Sequence, residues 1–411
     1  MLLLLKLAFR NIFRNFRRSL LTFLTISIGI SLSIIFVGIL IGTEQQSIRL
    51  LVSTRTGHAQ VYAVGYLEEE LTLPLDYTIS GYETLVDELL TIPDVQTAAE
   101  RILFPATLTD GIDELRLTGA GIHVKREDAT FRLTDHIVDG TYIAPGEEKI
   151  LLGDVVADLF GIGVGDLLTI IARTKYDAIT ALDVEIAGLF HVGNPEIDNN
   201  YFFLPLDITQ TILEMENEVT EVTLFGNSMD EADALETSLN GQFDTDVYDI
   251  VSWQYSSKDL LELYAMKAKG SQIMYIILFI MVSASIMNTM LMSVYERTRE
   301  IGTLMAMGFR RRNILSLFAL EGGFLGAFGS VIGCLIGGSI TYYLKFHGLN
   351  FDFMMKSGFE DFPIGSIMYA EINPAMLFYF FLIGVSIALL SAAYPSWKGA
   401  RMEPTEALRS V

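Results

Sequence analysis

The chain has 411 residues, 51% of them hydrophobic, a mean hydropathy of +0.41 and a formal net charge of −22. That apolar share excludes an ordinary water-soluble protein and implies membrane spans joined to a soluble part. The acidic balance excludes nucleic acid as a partner, and the single cysteine, Cys334, excludes an internal disulfide and a multi-cysteine metal site.

The charge is unevenly spread. Between Glu44 and Met266 stand 41 acidic and 11 basic residues, a balance of −30; the rest holds 9 and 17, a balance of +8. From the N-terminus, Phe9, Phe13, Phe16 and Leu20 recur at three- and four-residue spacing, while Lys6, Arg10 and Arg14 repeat every four residues on another face. This predicts an amphipathic helix over 1–19 lying on the inner membrane surface, its cations near anionic lipid headgroups. Leu20–Ile41 is apolar for about the 20 residues a span needs. It is too long for a signal-peptide core and lacks a small-residue cleavage site, so 20–43 reads as the first membrane helix with its N-terminus inside.

Residues 44–268 then form an outer domain. Glu44–Arg55 can continue the first span outward as a stalk. Strands are predicted over Gly57–Tyr66, Val95–Leu108, Leu115–Gly121, Val184–Phe190, Tyr201–Pro205, Glu218–Phe225 and Val247–Ser252. Helical stretches over Tyr82–Thr91, Leu206–Glu214, Met229–Leu239 and Ser257–Lys269 alternate with them, so the domain is α+β, with a second subdomain inserted in a first.

A second span covers 269–294 and a third 314–344, the latter long enough to tilt. An outer loop over 345–374, more acidic than basic, precedes a fourth span over 375–395 that Pro395 is expected to end; 396–411 is a basic tail. The link over 295–313 carries Arg297, Arg299, Arg310, Arg311 and Arg312 against Glu296 and Glu300, so the positive-inside rule puts it in the cytoplasm. Four spans with both termini inside satisfy that rule at every loop.

The sequence offers no catalytic site. No G-x-x-x-x-G-K-[ST] stretch occurs, so no P-loop binds ATP; GIGVGD at Gly161–Asp166 reads as a tight turn; the five histidines show no paired spacing; no G-x-S-x-G elbow is present. Two features of the third span stand out. Glu321 is either a functional intramembrane acid or an inner-face residue neutralised by arginine or helix ends. Gly322/Gly326 and Gly329/Gly333 are small-xxx-small pairs, suited to close helix packing within the chain or with a second subunit. In the basic link, Met305, Met307 and Phe309 offer apolar contacts for a partner groove, and Glu300 and Arg310–Arg312 offer steering charge.

Three motifs now form a pattern in fixed order: LAFRNIFRNFRRSLLTFLTISIGI at the first span, REIGTLMAMGFRRRNI after the second, and YPSWKGARMEPTEALR at the end. With the large domain between spans 1 and 2, the chain resembles, over essentially its full length, permease subunits of the MacB/FtsX/LolC-LolE group of ABC transporters. AGLFHVGNPEIDNNYFFLPLDITQTIL (Ala187–Leu213) is most similar to the lipoprotein-releasing members.

The resemblance implies a membrane α-helical protein of four transmembrane helices, with a periplasmic α+β domain of Porter/Sabre type inserted between helices 1 and 2. Residues 44–121 and 215–268 would be Porter-like and 122–214 Sabre-like. It implies the bacterial inner membrane, both termini cytoplasmic, and a dimer with a second permease subunit, homo- or heteromeric. Glu300, Ile301, Gly302, Met305, Ala306, Met307, Gly308, Phe309 and Arg310 would form the coupling helix that docks on a separate ABC ATPase dimer. That partner holds ATP and Mg; the chain itself holds no cofactor and no metal. In lipoprotein-releasing members the lipoprotein enters sideways between helices 1 and 2, which puts Ile34, Phe36, Ile39, Met274, Ile277 and Met281 on a substrate cavity, and leaves for a periplasmic carrier. The carrier-binding hook of LolC-type subunits is a long, proline-containing hairpin; here Ile170–Ile186 is short and has no proline. Beside lipoprotein release stand two further readings, an efflux or mechanotransmission permease and a membrane sensor whose acidic domain binds a ligand.

Overall fold

The structure is a computed structural model that describes residues 2–14, 16–350 and 367–401. Met1, Asn15, residues 351–366 and 402–411, and the side chains of Leu2–Leu4, Ile12, Phe13, Phe16 and Arg18 lie outside the described residues. The chain divides into two compact units, and the divisions fall inside its first and second long helices.

In chain order, α1 (Leu2–Arg14) and α2 (Phe16–Leu51) lead through a π turn at Val52–Thr56 to β1 (Ala59–Ala63), β2 (Ile79–Ser80), α3 (Tyr82–Leu89), β3 (Val95–Thr109), β4 (Glu114–Ile122), α4 (Val124–Phe131) and β5 (Ile137–Gly140). Next come β6 (Lys149–Gly153), α5 (Asp154–Phe160), β7 (Leu167–Arg173), β8 (Ile179–Phe190), α6 (Pro195–Asn200), β9 (Tyr201–Pro205) and α7 (Leu206–Leu213). Then follow β10 (Glu218–Val219), β11 (Glu221–Gly226), α8 (Ala232–Asn240), β12 (Tyr248–Ser252), α9 (Trp253–Ser256), α10 (Lys258–Glu296), α11 (Thr298–Ala306) and α12 (Arg311–His347). The C-terminal helix is Pro374–Ala400.

The soluble unit is built on a ten-stranded mixed sheet, ordered β12-β1-β11-β3-β4-β9-β6-β8-β5, with β7 pairing both β3 and β8. Strands β3, β4, β9, β6, β8 and β7 thereby close into a ring, which removes their edges. The 15-residue β3 makes this possible: its first half pairs β11 through Arg101↔Glu221, and its second half pairs β7 through Ala106↔Ala172. One sheet thus runs through both segments expected as separate subdomains. The β7–β8 hairpin closes at Arg173↔Ile179, with Asp177 left-handed in the turn, so the stretch compared with a carrier hook is a tight hairpin. GIGVGD is the expected turn: Gly161 (φ +70°) ends α5, and the Gly165 N–H bonds Ile186 O at 2.9 Å before β7 begins.

Among the described residues, four helices are long and apolar enough to cross a membrane: Ser19–Thr56, Lys258–Glu296, Arg311–His347 and Pro374–Ala400. Their packing is set by the glycines of α12. A Cβ on Gly322 or Gly326 would lie 2.5 and 2.4 Å from the methyls of Ala392 and Ala388 of the C-terminal helix. On another face, a Cβ on Gly333 would lie 2.9 Å from Ser27 O of α2. Ser31 Oγ of α2 donates to Gly333 O at 2.9 Å in the same seam. Both small-xxx-small pairs therefore serve helix contacts within the chain. Pro395 does not end the fourth span. It lies buried inside the helix, which runs on to Ala400, because membrane helices tolerate an internal proline where neighbours satisfy the freed carbonyl.

Candidate functional site

The link between the second and third spans is a short helix fixed at both ends. The helices of the spans take up its flanks, through Glu296 and from Arg311, and leave α11 as nine residues between them. Its C-terminus is a Schellman closure: Gly308 N–H donates to Met305 O and Phe309 N–H to Leu304 O, each at 3.0 Å. Gly308 holds φ +95°, a conformation that glycine adopts without Cβ strain. Leu304 and Phe309, the apolar pair of that closure, pack against the core of the membrane unit.

The other end is held by charge. Arg297, buried just before α11, donates from Nη1 to Glu321 Oε2 at 3.0 Å and from Nε to Glu300 Oε2 at 3.2 Å. Its guanidinium lies 5.7 Å above the Phe318 ring. Glu321 is thus an acid neutralised by arginine, the second of its two sequence readings. Its partner is Arg297, across the helix pair, and Arg310, Arg311 and Arg312 stay exposed. Glu300 also accepts from Arg14 Nη2 at 2.5 Å. Burial pushes the Glu300 carboxyl up, but the hydrogen bonds from Arg14 and Arg297 outweigh it and hold it below the usual carboxylate range.

The nine residues expected to couple to an ATPase divide by exposure. Ile301 and Gly302 are buried against the bundle; Met305 and Phe309 are half-buried on it. Glu300, Ala306, Met307, Gly308 and Arg310 face outward, Met307 with 68% of its surface exposed. Of the three apolar contacts expected for a partner groove, only Met307 is fully presented. Arg297 escaped sequence reasoning as a site residue, because its partner Glu321 lies 24 positions away. The i,i+3 spacing of Arg297 and Glu300 was the one available signal.

A second polar cluster sits inside the soluble unit. Arg101 holds Glu127 through both carboxylate oxygens (Nε 3.1 and 3.0 Å) and donates to Arg55 O at 2.9 Å. Tyr62 Oη donates to Glu221 Oε2 at 3.2 Å, and Glu221 Oε1 lies 3.7 Å from Arg101. Arg55, just after α2, pairs with Glu196 of α6. Burial pushes the Glu221 carboxyl up, against the pull of Arg101 and Arg55. Among the described residues, no group of His, Cys, Asp or Glu is arranged to hold a metal.

The sequence relatives decide what this architecture belongs to. The family model for the MacB-like periplasmic core domain matches residues 19–242, more than half of the chain, and that for the FtsX-like permease C-terminal region matches 273–404. The chain belongs to the MacB/FtsX family of ABC-transporter permeases. A lipoprotein-releasing system transmembrane protein LolC from Xylella fastidiosa is 25% identical to this permease over 415 residues, 97% of this chain and 95% of LolC. A macrolide export ATP-binding/permease protein MacB from Syntrophobacter fumaroxidans is 31% identical over 155 residues, 37% of this chain and 19% of that protein. The solved periplasmic region of MacB from Actinobacillus actinomycetemcomitans aligns with 53% of this chain and 98% of its own, at 11% identity and a TM-score of 0.36. As an ABC permease of this family, the chain acts with an ATPase. It has the expected four apolar helices, with a MacB-like domain between the first two.

The six residues expected on a substrate cavity also divide. Ile34 is fully buried against α12, where Gly337 approaches it, so it packs the bundle. Phe36 meets Tyr275 of α10 edge-on at 6.1 Å, and Ile39 is half-buried. Met274, Ile277 and Met281 form an exposed stripe on α10, at 43%, 54% and 66% exposure.

Proposed function

We propose that this permease is the membrane subunit of an ATP-driven transporter that extracts lipoproteins from the outer leaflet of the inner membrane. The observation that carries the reading is its correspondence with LolC across 97% of the chain, soluble domain and spans together. In this reading a separate ATPase binds ATP and Mg, since the sequence has no P-loop. The outward residues of α11 and its C-terminal cap, Met307 above all, dock on that ATPase. Both termini lie in the cytoplasm and the MacB-like domain in the periplasm. Two permease subunits pair, and the exposed Met274–Ile277–Met281 stripe with Phe36 lines the lipid-open access between helices 1 and 2. The tight, proline-free β7–β8 hairpin favours assigning carrier recruitment to the other subunit of the pair.

The likeness to MacB over 155 residues favours a second reading, export or mechanotransmission toward a periplasmic partner. One experiment separates them. The permease is co-purified with its ATPase in nanodiscs, and the acylated proteins that accompany it are identified by mass spectrometry before and after ATP. Lipoprotein bound before ATP and released after it supports extraction. An ATPase-bearing complex without lipoprotein moves the reading to export or mechanotransmission.

A further inference from the structure

We propose that α1 is a working strut of the coupling joint, with Asn11 and Arg14 as positioning residues for α11. The proposal rests on the ABC-permease reading and deepens it by naming what holds the coupling helix to the bundle. The observation is a circuit of ion pairs that runs through three helices, from Glu321 of α12 through Arg297 and Glu300 to Arg14 of α1. Asn11, buried in α1, lies beside the Glu321 carboxyl of α12. Glu321 binds Arg297, Arg297 binds Glu300 of α11, and Glu300 binds Arg14, one helical turn after Asn11 on the same face of α1. Apolar contacts fix α1 in register with this circuit. Ala8 is fully buried, and Phe9 meets Phe324 of α12 edge-on at 6.1 Å.

The circuit makes α11 move as one body with α1 and α12. Shifting α11 alone would pull Arg297 from Glu321 and leave two buried charges unpaired, a costly state. A push received at Met307, the C-terminal cap of α11, therefore travels into α12 and α1 together, and does not dissipate in the short links at Arg297 and Gly308–Arg310. A helix that merely rests on the membrane surface would need Arg14 for lipid headgroups and would place no demand on Glu300.

The test uses the full chain with its ATPase in nanodiscs and reads two quantities: the amount of ATPase retained, and the ratio of ATP turnover in the complex to that of the ATPase alone. Arg14→Gln, at a half-exposed position, leaves the fold and the retained ATPase as they are. It lowers the turnover ratio roughly two- to fivefold, the range expected of an exposed ion pair, and Arg14→Lys restores at least half of the loss. Glu321→Gln lowers the ratio by about tenfold or more, because Arg297 loses its buried partner. If Glu321→Gln fails to assemble, Asn11→Ala takes its place. Turnover ratios equal to the unchanged chain in Arg14→Gln and Asn11→Ala, with ATPase retained, would overturn the strut while the ABC reading stands. Failure of the unchanged chain to retain any ATPase would overturn both.

Discussion

At the scale of single residues, the membrane unit depends on positions where a side chain is missing. Gly333 is the clearest: any Cβ there would press on the Ser27 carbonyl of α2, and helix backbone cannot yield as a flexible side chain can. Gly333→Val is expected to destabilise by about 1–3 kcal/mol, the usual cost of overpacking. Gly270, in α10 with nothing within 4 Å of an added Cβ, is the control. Gly270→Ala should be neutral or stabilise by up to about 1 kcal/mol through helix propensity alone. Thermal unfolding of the two variants in the same detergent checks both signs; equal Tm shifts would contradict the packing account. The roles of the glycines could be read from their spacing. Which helix each pair faces could not, since that depends on the rotation of α12 against two neighbours.

At the scale of elements, the soluble unit hangs on the buried ions where β1, β3, β11 and α4 meet. Glu221 and Arg101 respond to substitution in opposite ways. Because burial raises the folded-state pKa of Glu221, the folded protein holds that proton more tightly than the unfolded chain does. Its contribution is therefore favourable below the usual carboxylate range and declines as pH rises through the raised value. Glu221→Gln should remove that decline and be neutral or stabilising at pH 8. Arg101→Ala leaves Glu127 buried without its partner and should cost about 3–5 kcal/mol at neutral pH. Thermal melts of the full chain between pH 5 and 8 measure both; a Glu221→Gln protein that loses stability most at pH 8 would reverse the sign argued here. None of this cluster stands out in the sequence, where Arg101, Glu127 and Glu221 look like ordinary surface charge. The strands carrying Tyr62, Arg101 and Glu221 were legible, because β-branched and aromatic residues run between turn residues at Gly57–Tyr66, Val95–Leu108 and Glu218–Phe225.

At the scale of the whole molecule, four apolar runs and the charge contrast between soluble and membrane parts fix the plan, because span length and basic flanks follow directly from bilayer physics. Pairings between distant segments are what one dimension hides. The ring closed by β7 against β3, the Arg297–Glu321 bridge and the burial of Ile34 against α12 all depend on contacts more than 20 residues apart. The same limit divides the residues expected to couple. Sequence placed the helix, and only the fold separated Ile301, turned inward, from Met307, turned outward.

That separation allows the most direct test of the central claim, that α11 presents Met307 to an ATPase. With Cys334, the chain's single cysteine, replaced by alanine, Met307→Cys and Ile301→Cys variants are each treated with a short cysteine-to-lysine crosslinker in the purified complex. The account predicts a crosslink to the ATPase from position 307 and none from position 301, which is 2% exposed. An ATPase that remains bound while position 307 gives no crosslink would contradict the assignment of α11 as the coupling helix.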